Sequence, residues 1–173
     1  MTTITSTATK GSEAGRTKQV RMEFARDSGI LAYAAGDVIS AAGAAAALEF
    51  QGCGRSGLIH GAAIIMEETD TANLEVLLFD SEPTNFNDSD VLALVNADID
   101  KLIGRLTFAD SAKALIGSGI NHYVASLDTQ GENGIRFASA GNSKSLYGLL
   151  VTRSVYTPVA SAKFHIHLNI EAD

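Results

Sequence analysis

Three short stretches carry residue types that can do chemistry, and each can be tested against what that chemistry requires. Gly52-Cys-Gly-Arg-Ser-Gly57 matches the G-x-G-x-x-G pattern that holds a pyrophosphate against a helix N-terminus. That use needs a buried strand before the glycines, a helix after them and an acidic residue about 20 positions further on. Here polar Gln51 precedes the motif, a β-branched segment follows it, and the nearest acids, Glu67, Glu68 and Asp70, come too early. The motif therefore reads as a glycine-rich turn or bulge. Cys53, inside it, is the only cysteine, which excludes an intrachain disulfide and a cysteine zinc cage. Nothing in the local sequence supplies the base that a thiol nucleophile requires.

His165-Ile-His167, with Glu171, is the second stretch. On a strand the two histidines point to one face, as in the metal-binding strand of a cupin barrel. A cupin site also wants a glycine six residues before the first His, where Val159 stands, a glycine beyond the Glu, and a second motif with another His. Two histidines alternating with Phe164, Ile166, Leu168 and Ile170 read instead as the outer, solvent-facing or interface side of a strand. His60 and His122 would join them only through the accident of folding. The third stretch, Asn85-Phe-Asn-Asp-Ser-Asp90, offers oxygen ligands but lacks the central glycine and closing glutamate of a calcium loop, so a turn followed by a helix cap is expected. The sequence contains no nucleophile elbow, phosphate loop or H-E-x-x-H motif. No catalytic, cofactor-binding or metal-ligating residues are expected.

The elements that must position these side chains are mostly strands. Val20, Met22 and Phe24 alternate with polar neighbours, the period-two signature of a half-buried strand. Further apolar stretches lie at 57–66, 74–79, 102–108, 122–127, 135–138, 146–152 and 163–170. Turn chemistry separates them at 83–85, 131–134, 141–142 and 157–158. Many short strands divided by turns predict a sandwich or barrel. The Ala-rich 41–48 stretch suits a short helix or a tightly packed strand. In 89–100, Ser89 is a capping candidate and Val91, Leu92, Leu94, Val95 and Ile99 fall at helical spacing, which predicts a short helix across an edge or end of the sandwich.

At 173 residues and 46% hydrophobic content, the chain can bury a core and reads as one domain over 16–173. Residues 1–15 are rich in Thr, Ser and Gly and read as a flexible N-terminal arm. No apolar run approaches the ~20 residues needed to cross a bilayer, and the first thirty residues lack the order of a secretory signal. A soluble protein made in a cytoplasm, without membrane contact, is expected. The charge is unevenly divided. Residues 1–26 carry five basic and two acidic side chains, net +3, while the remainder carries eight basic and eighteen acidic, net −10. No Lys or Arg falls between Arg55 and Lys101. An acidic body repels a phosphate backbone, so no nucleic-acid partner is expected.

From about Tyr33 onward the chain resembles the head decoration or cement proteins of tailed bacteriophages. The residues that carry the resemblance are 33–38 (Tyr-Ala-Ala-Gly-Asp-Val), 77–88 (Leu-Leu-Phe-Asp-Ser-Glu-Pro-Thr-Asn-Phe-Asn-Asp), 97–104 (Ala-Asp-Ile-Asp-Lys-Leu-Ile-Gly), 145–152 (Ser-Leu-Tyr-Gly-Leu-Leu-Val-Thr) and 163–170 (Lys-Phe-His-Ile-His-Leu-Asn-Ile). The resemblance implies an all-β, jelly-roll-like β-sandwich, here with one short helix and an extended N-terminal arm. It further implies self-association as dimers or trimers, no cofactor, and the major capsid protein as partner on the outer surface of the virion. The expected function is a non-enzymatic structural one, stabilisation of the capsid shell. The arm cations Arg16, Lys18, Arg21 and Arg26 are the candidate partner contacts. The alternatives are a tail or fibre-associated adhesion module, which the absence of Trp disfavours for sugar stacking, and a cupin-like metal-dependent enzyme using His165 and His167.

Overall fold

The computed structural model describes residues 5–8, 16–26, 32–40, 46–67, 72–110, 113–115, 122–126, 134–141 and 143–172. Strand Arg16–Ala25 (β2) turns Val20, Met22 and Phe24 to one side. It pairs antiparallel with the last strand, Lys163–Ala172 (β12), which turns Phe164, Ile166, Leu168 and Ile170 the same way. Directly opposed Phe24 and Phe164 stack with ring centroids 5.0 Å apart. On its other side β12 pairs with Ser56–Glu67 (β5). The far edge of β5 is shared by His122–Ser126 (β9) and Ile135–Ala138 (β10), and Lys113–Leu115 (β8) pairs with β9. Thr5–Ala8 (β1), the described part of the expected arm, is extended and pairs with the outer edge of β2. The rest of the arm, 1–4 and 9–15, lies outside the described residues.

The second sheet centres on Leu146–Thr152 (β11). Val38–Ile39 (β3) and Leu48–Phe50 (β4) share one edge of it, Leu74–Phe79 (β6) pairs with the other, and Leu102–Phe108 (β7) follows β6. All pairings in both sheets are antiparallel. One cluster of buried side chains joins the two inner faces, with Ile59, Ile64 and Met66 from the first sheet against Leu74, Val76, Leu106, Phe108 and Leu150 from the second. The molecule is thus an all-β sandwich, and burial of these faces supplies most of its stabilisation. The inward set on β5 changes from Ile59 to Ala62, Ile64 and Met66 because the pairing with β12 skips His60. His60 is the extra residue of a bulge, and its side chain is exposed.

The glycine motif forms the turn from β4 into β5. Gly52 and Gly54 adopt φ of 78° and 103°, open to glycine without strain. Gly57 lies where β12 passes so closely that a Cβ would sit 2.4 Å from the Glu171 carbonyl oxygen. The expected turn is the role the glycines fill.

The expected helix is shorter than its spacing suggested: only Asn96–Ile99 (α1) is helical. Ser89 has φ of 62°, and the N-cap of α1 is Val95 instead. Its N–H donates to Val38 O, Val38 N–H to Asp90 O and Leu92 N–H to Gly36 O. These main-chain bonds, and the pull of Leu92 and Leu94 onto the second sheet, hold 89–95 out of a helix. Of the ambiguous 41–48 stretch, 41–45 lies outside the described residues and Leu48 opens strand β4.

Candidate docking surfaces

The arm cations occupy different environments. Arg16 opens β2, in register with Ala172. Lys18 is half-buried with its Nζ beside Gly54, and burial, reinforced by the nearby Lys144, lowers its ammonium below the ordinary lysine value. Arg21 is exposed, its Nε donating to Gln19 Oε1 at 2.6 Å. Arg26 is only 4% exposed. Its guanidinium lies 4.6 Å from the centre of the Tyr33 ring, a cation–π contact, and neither Nε nor Nη1 has a hydrogen-bond partner among the described residues. Among the described side chains of this set, Arg21 alone faces solvent openly, because it alternates on β2 with the inward-turned Val20, Met22 and Phe24.

On the outer face of the first sheet, His165 and His167 stand side by side, half-buried, as their alternation with the core residues required. His165 lies between two carboxylates from flanking strands, its Nδ1 3.4 Å from Glu23 Oε2 and its Nε2 3.6 Å from Glu67 Oε1. Lys163 Nζ approaches Glu23 Oε1 at 3.5 Å. The carboxylates face opposite ring nitrogens, so one metal ion cannot be shared by all three groups. Burial, then the charges of Arg21 and His165, lowers the His167 imidazole below the ordinary histidine value and favours its neutral form. Among the described residues no group of three or more His, Cys, Asp or Glu side chains is placed to hold a metal ion.

The connection from β6 to β7, residues 80–101, is the largest feature that sequence reasoning missed. β6 is buried on both faces: Leu74, Val76 and Leu78 enter the main core, while Leu77 and Phe79 join Ala47 and Leu149 in a second cluster. Phe86, Leu92 and Leu94 of the connection cover that cluster, making a third layer over the second sheet. The signal was present, since 74–79 reads Leu-Glu-Val-Leu-Leu-Phe without clean alternation, as strands covered on both faces do.

Two aspartates fix this layer. Asp88 Oδ1 accepts from Tyr33 Oη and from Ser40 N–H, both at 2.9 Å. Asp98, fully buried, accepts the Thr84 N–H at 3.1 Å, the Asn85 N–H at 3.2 Å and Lys101 Nζ at 2.9 Å. The polar groups of the 85–90 stretch are likewise turned to the chain itself: Asn85 Nδ2 donates to Ala93 O and Asn87 Nδ2 to Asp90 Oδ2. The expected turn is present, but without a helix cap at Ser89.

On the same face of the sheet, buried Glu75 pairs with Arg153 and, at 3.6 Å, with Arg105, so its charge is compensated. Among the described residues, no helix is long and apolar enough to cross a membrane. No protein-family model and no curated protein sequence matches the chain.

Proposed function

We propose that the protein is a structural subunit of a tailed-phage particle that binds the exterior of the capsid shell and stabilises it, assembling there with the major capsid protein and with further copies of itself. The observation that carries this reading is the attachment of β1. Its four residues, all Thr, Ser or Ala, form a strand on the free edge of β2, held by main-chain pairing. A segment that adds to a sheet edge can equally add to a neighbour's edge, since main-chain hydrogen bonding requires little of side-chain identity. The resemblance of the chain from Tyr33 onward to decoration proteins supports the same reading, as does the contrast between the basic first 26 residues and an acidic body. Repeated over a symmetric shell, modest contacts of this kind add up through multivalency.

The experiment is to add the purified protein to shells that lack it and image the product by cryo-electron microscopy. Saturable density at symmetric positions on the outer surface is expected. Absence of binding at saturating protein would overturn the proposal.

A further inference from the structure

The β6–β7 connection is apolar on two sides, and only one of them serves the fold. Phe86, Leu92 and Leu94 turn inward onto Leu77, Phe79 and Leu149 and anchor it. Val91, Val95, Ile99 and Leu102 remain 67%, 41%, 50% and 38% exposed. They are four of the six large exposed apolar side chains among the described residues, gathered in twelve positions. Val95 and Ile99 are one helical turn apart, linked by the Ile99 N–H to Val95 O bond across α1, and Leu102 follows as β7 begins. Single exposed apolar residues need no explanation, but such a concentration on a braced segment marks a contact surface.

The exposed charge around this ridge is mostly acidic. Glu82, Asp90 and Asp100 are exposed, while the nearby cations are engaged within the chain, Lys101 with Asp98 and the Glu82 carbonyl and Arg105 with Glu75 at 3.6 Å. A second copy meeting the ridge through a twofold axis would bring like charges together, and anionic lipid or nucleic acid would be repelled. The complement is a protein surface with an apolar furrow flanked by Lys and Arg.

We infer that the ridge of Val95, Ile99 and Leu102, with Val91 beside it in the chain and Glu82, Asp90 and Asp100 around it, docks the protein onto a basic-rimmed apolar furrow of its capsid partner. The inference rests on the decoration reading and names the face that makes the contact. The ridge is preorganised by the Asp98 and Asp88 anchors, so docking orders little that is not already ordered.

The test compares binding to protein-depleted shells for wild type, for Val95→Ser/Ile99→Ser, for Glu82→Gln/Asp90→Asn/Asp100→Asn, and for Val155→Ser, which alters an apolar side chain 76% exposed elsewhere. Serine suits the N-cap position that Val95 occupies, so the double variant keeps its helical turn, and an unchanged Tm verifies the fold. The expected result is about tenfold or greater weakening for the double variant, a flatter salt dependence for the charge variant and no change for Val155→Ser. Wild-type binding matched by the double variant would overturn this inference and leave the decoration reading intact. Failure of wild type to bind would overturn both.

Discussion

Asp98 and Thr84, fourteen positions apart, close the two ends of the β6–β7 connection on each other: both carboxylate oxygens of the buried aspartate lie 3.1 Å from the Thr84 amide nitrogen. Burial opposes the charge of Asp98, but Lys101 and the amides of Thr84 and Asn85 outweigh it and hold the carboxyl below the ordinary aspartate value. Every partner is a donor, so Asp98→Asn would turn an amide NH2 toward other N–H groups. Hydrogen bonds to a charged group contribute roughly 1.5–3 kcal/mol, and the variant should lose about 2 kcal/mol, lowering Tm by roughly 4–8 °C for a chain of this size. Because the folded-state value is depressed, this stabilisation is present above the unfolded value of about 3.9 and lost as pH falls through the lower folded value. Thermal melts from neutral to strongly acidic pH should therefore show the difference between wild type and variant shrinking at the acid end. A constant difference across the series would contradict the anchor.

Tyr33 links the two layers in a second way. Its ring lies under Arg26 and beside Tyr156, with ring centroids 6.5 Å apart, and its hydroxyl donates to Asp88. Burial, joined by the charge of and bond to Asp88, raises the phenol well above the ordinary tyrosine value despite the opposing Arg26. A raised folded value stabilises fully below the unfolded value of about 10 and is lost as pH rises. Tyr33→Phe should cost about 1–2 kcal/mol at neutral pH by removing a donor from Asp88, and should show a gentler alkaline loss of stability than wild type. Denaturant unfolding at neutral and alkaline pH measures both effects.

The main sandwich was legible because its strands obey period two. Val20, Met22 and Phe24, or Phe164, Ile166, Leu168 and Ile170, can be read as buried without knowing what covers them. The third layer was not legible by that rule. Leu92 and Leu94 satisfy helical spacing equally well, and only the main-chain bonds to Gly36 and Val38, made over fifty positions away, decide against a helix. Short strands such as Val38–Ile39 and Leu48–Phe50 give too few residues for a period to declare itself. Among the candidate contacts, parity alone could have separated Arg21 from Lys18 and Arg26, since Val20, Met22 and Phe24 fix which face of β2 turns inward. The acidic rim of the β6–β7 connection was visible in composition, but which carboxylates are spent internally, Asp98 and Asp88, required the fold.

Cys53 is buried, its thiol pushed up to about 12 by burial against the weaker opposing effects of the backbone near Leu146 and of Lys18. The thiolate is the reactive species, so the native protein should resist a soluble disulfide reagent at neutral pH. Labelling should proceed at the rate of global opening, slower by orders of magnitude than in denaturant. Cys53→Ser should fold, because its hydroxyl can take over the bond that Sγ donates to Phe50 O at 3.1 Å. Rapid native labelling would place the thiol in an accessible pocket and reopen a chemical role for it.

The last prediction separates the two ways a glycine can be required. At Gly57 an added Cβ would lie 2.4 Å from the Glu171 carbonyl oxygen and 3.1 Å from the Ala172 Cα, both backbone atoms of β12 that cannot swing aside. Gly57→Ala must spread β5 from β12 at the pair Gly57↔Ala172 and loosen the sheet where β10 also pairs. The expected loss is roughly 3 kcal/mol, at the upper end of overpacking within a close-packed interior because the clash is with backbone. Gly141 has φ of 61° with open space around it, so Gly141→Ala meets only the left-handed backbone penalty of roughly 1–2 kcal/mol. Chemical denaturation of the two variants should rank Gly57→Ala as the more destabilised. Equal losses would mean that β12 yields to the new methyl group, and that the close passage of the two strands is not what fixes glycine at this position.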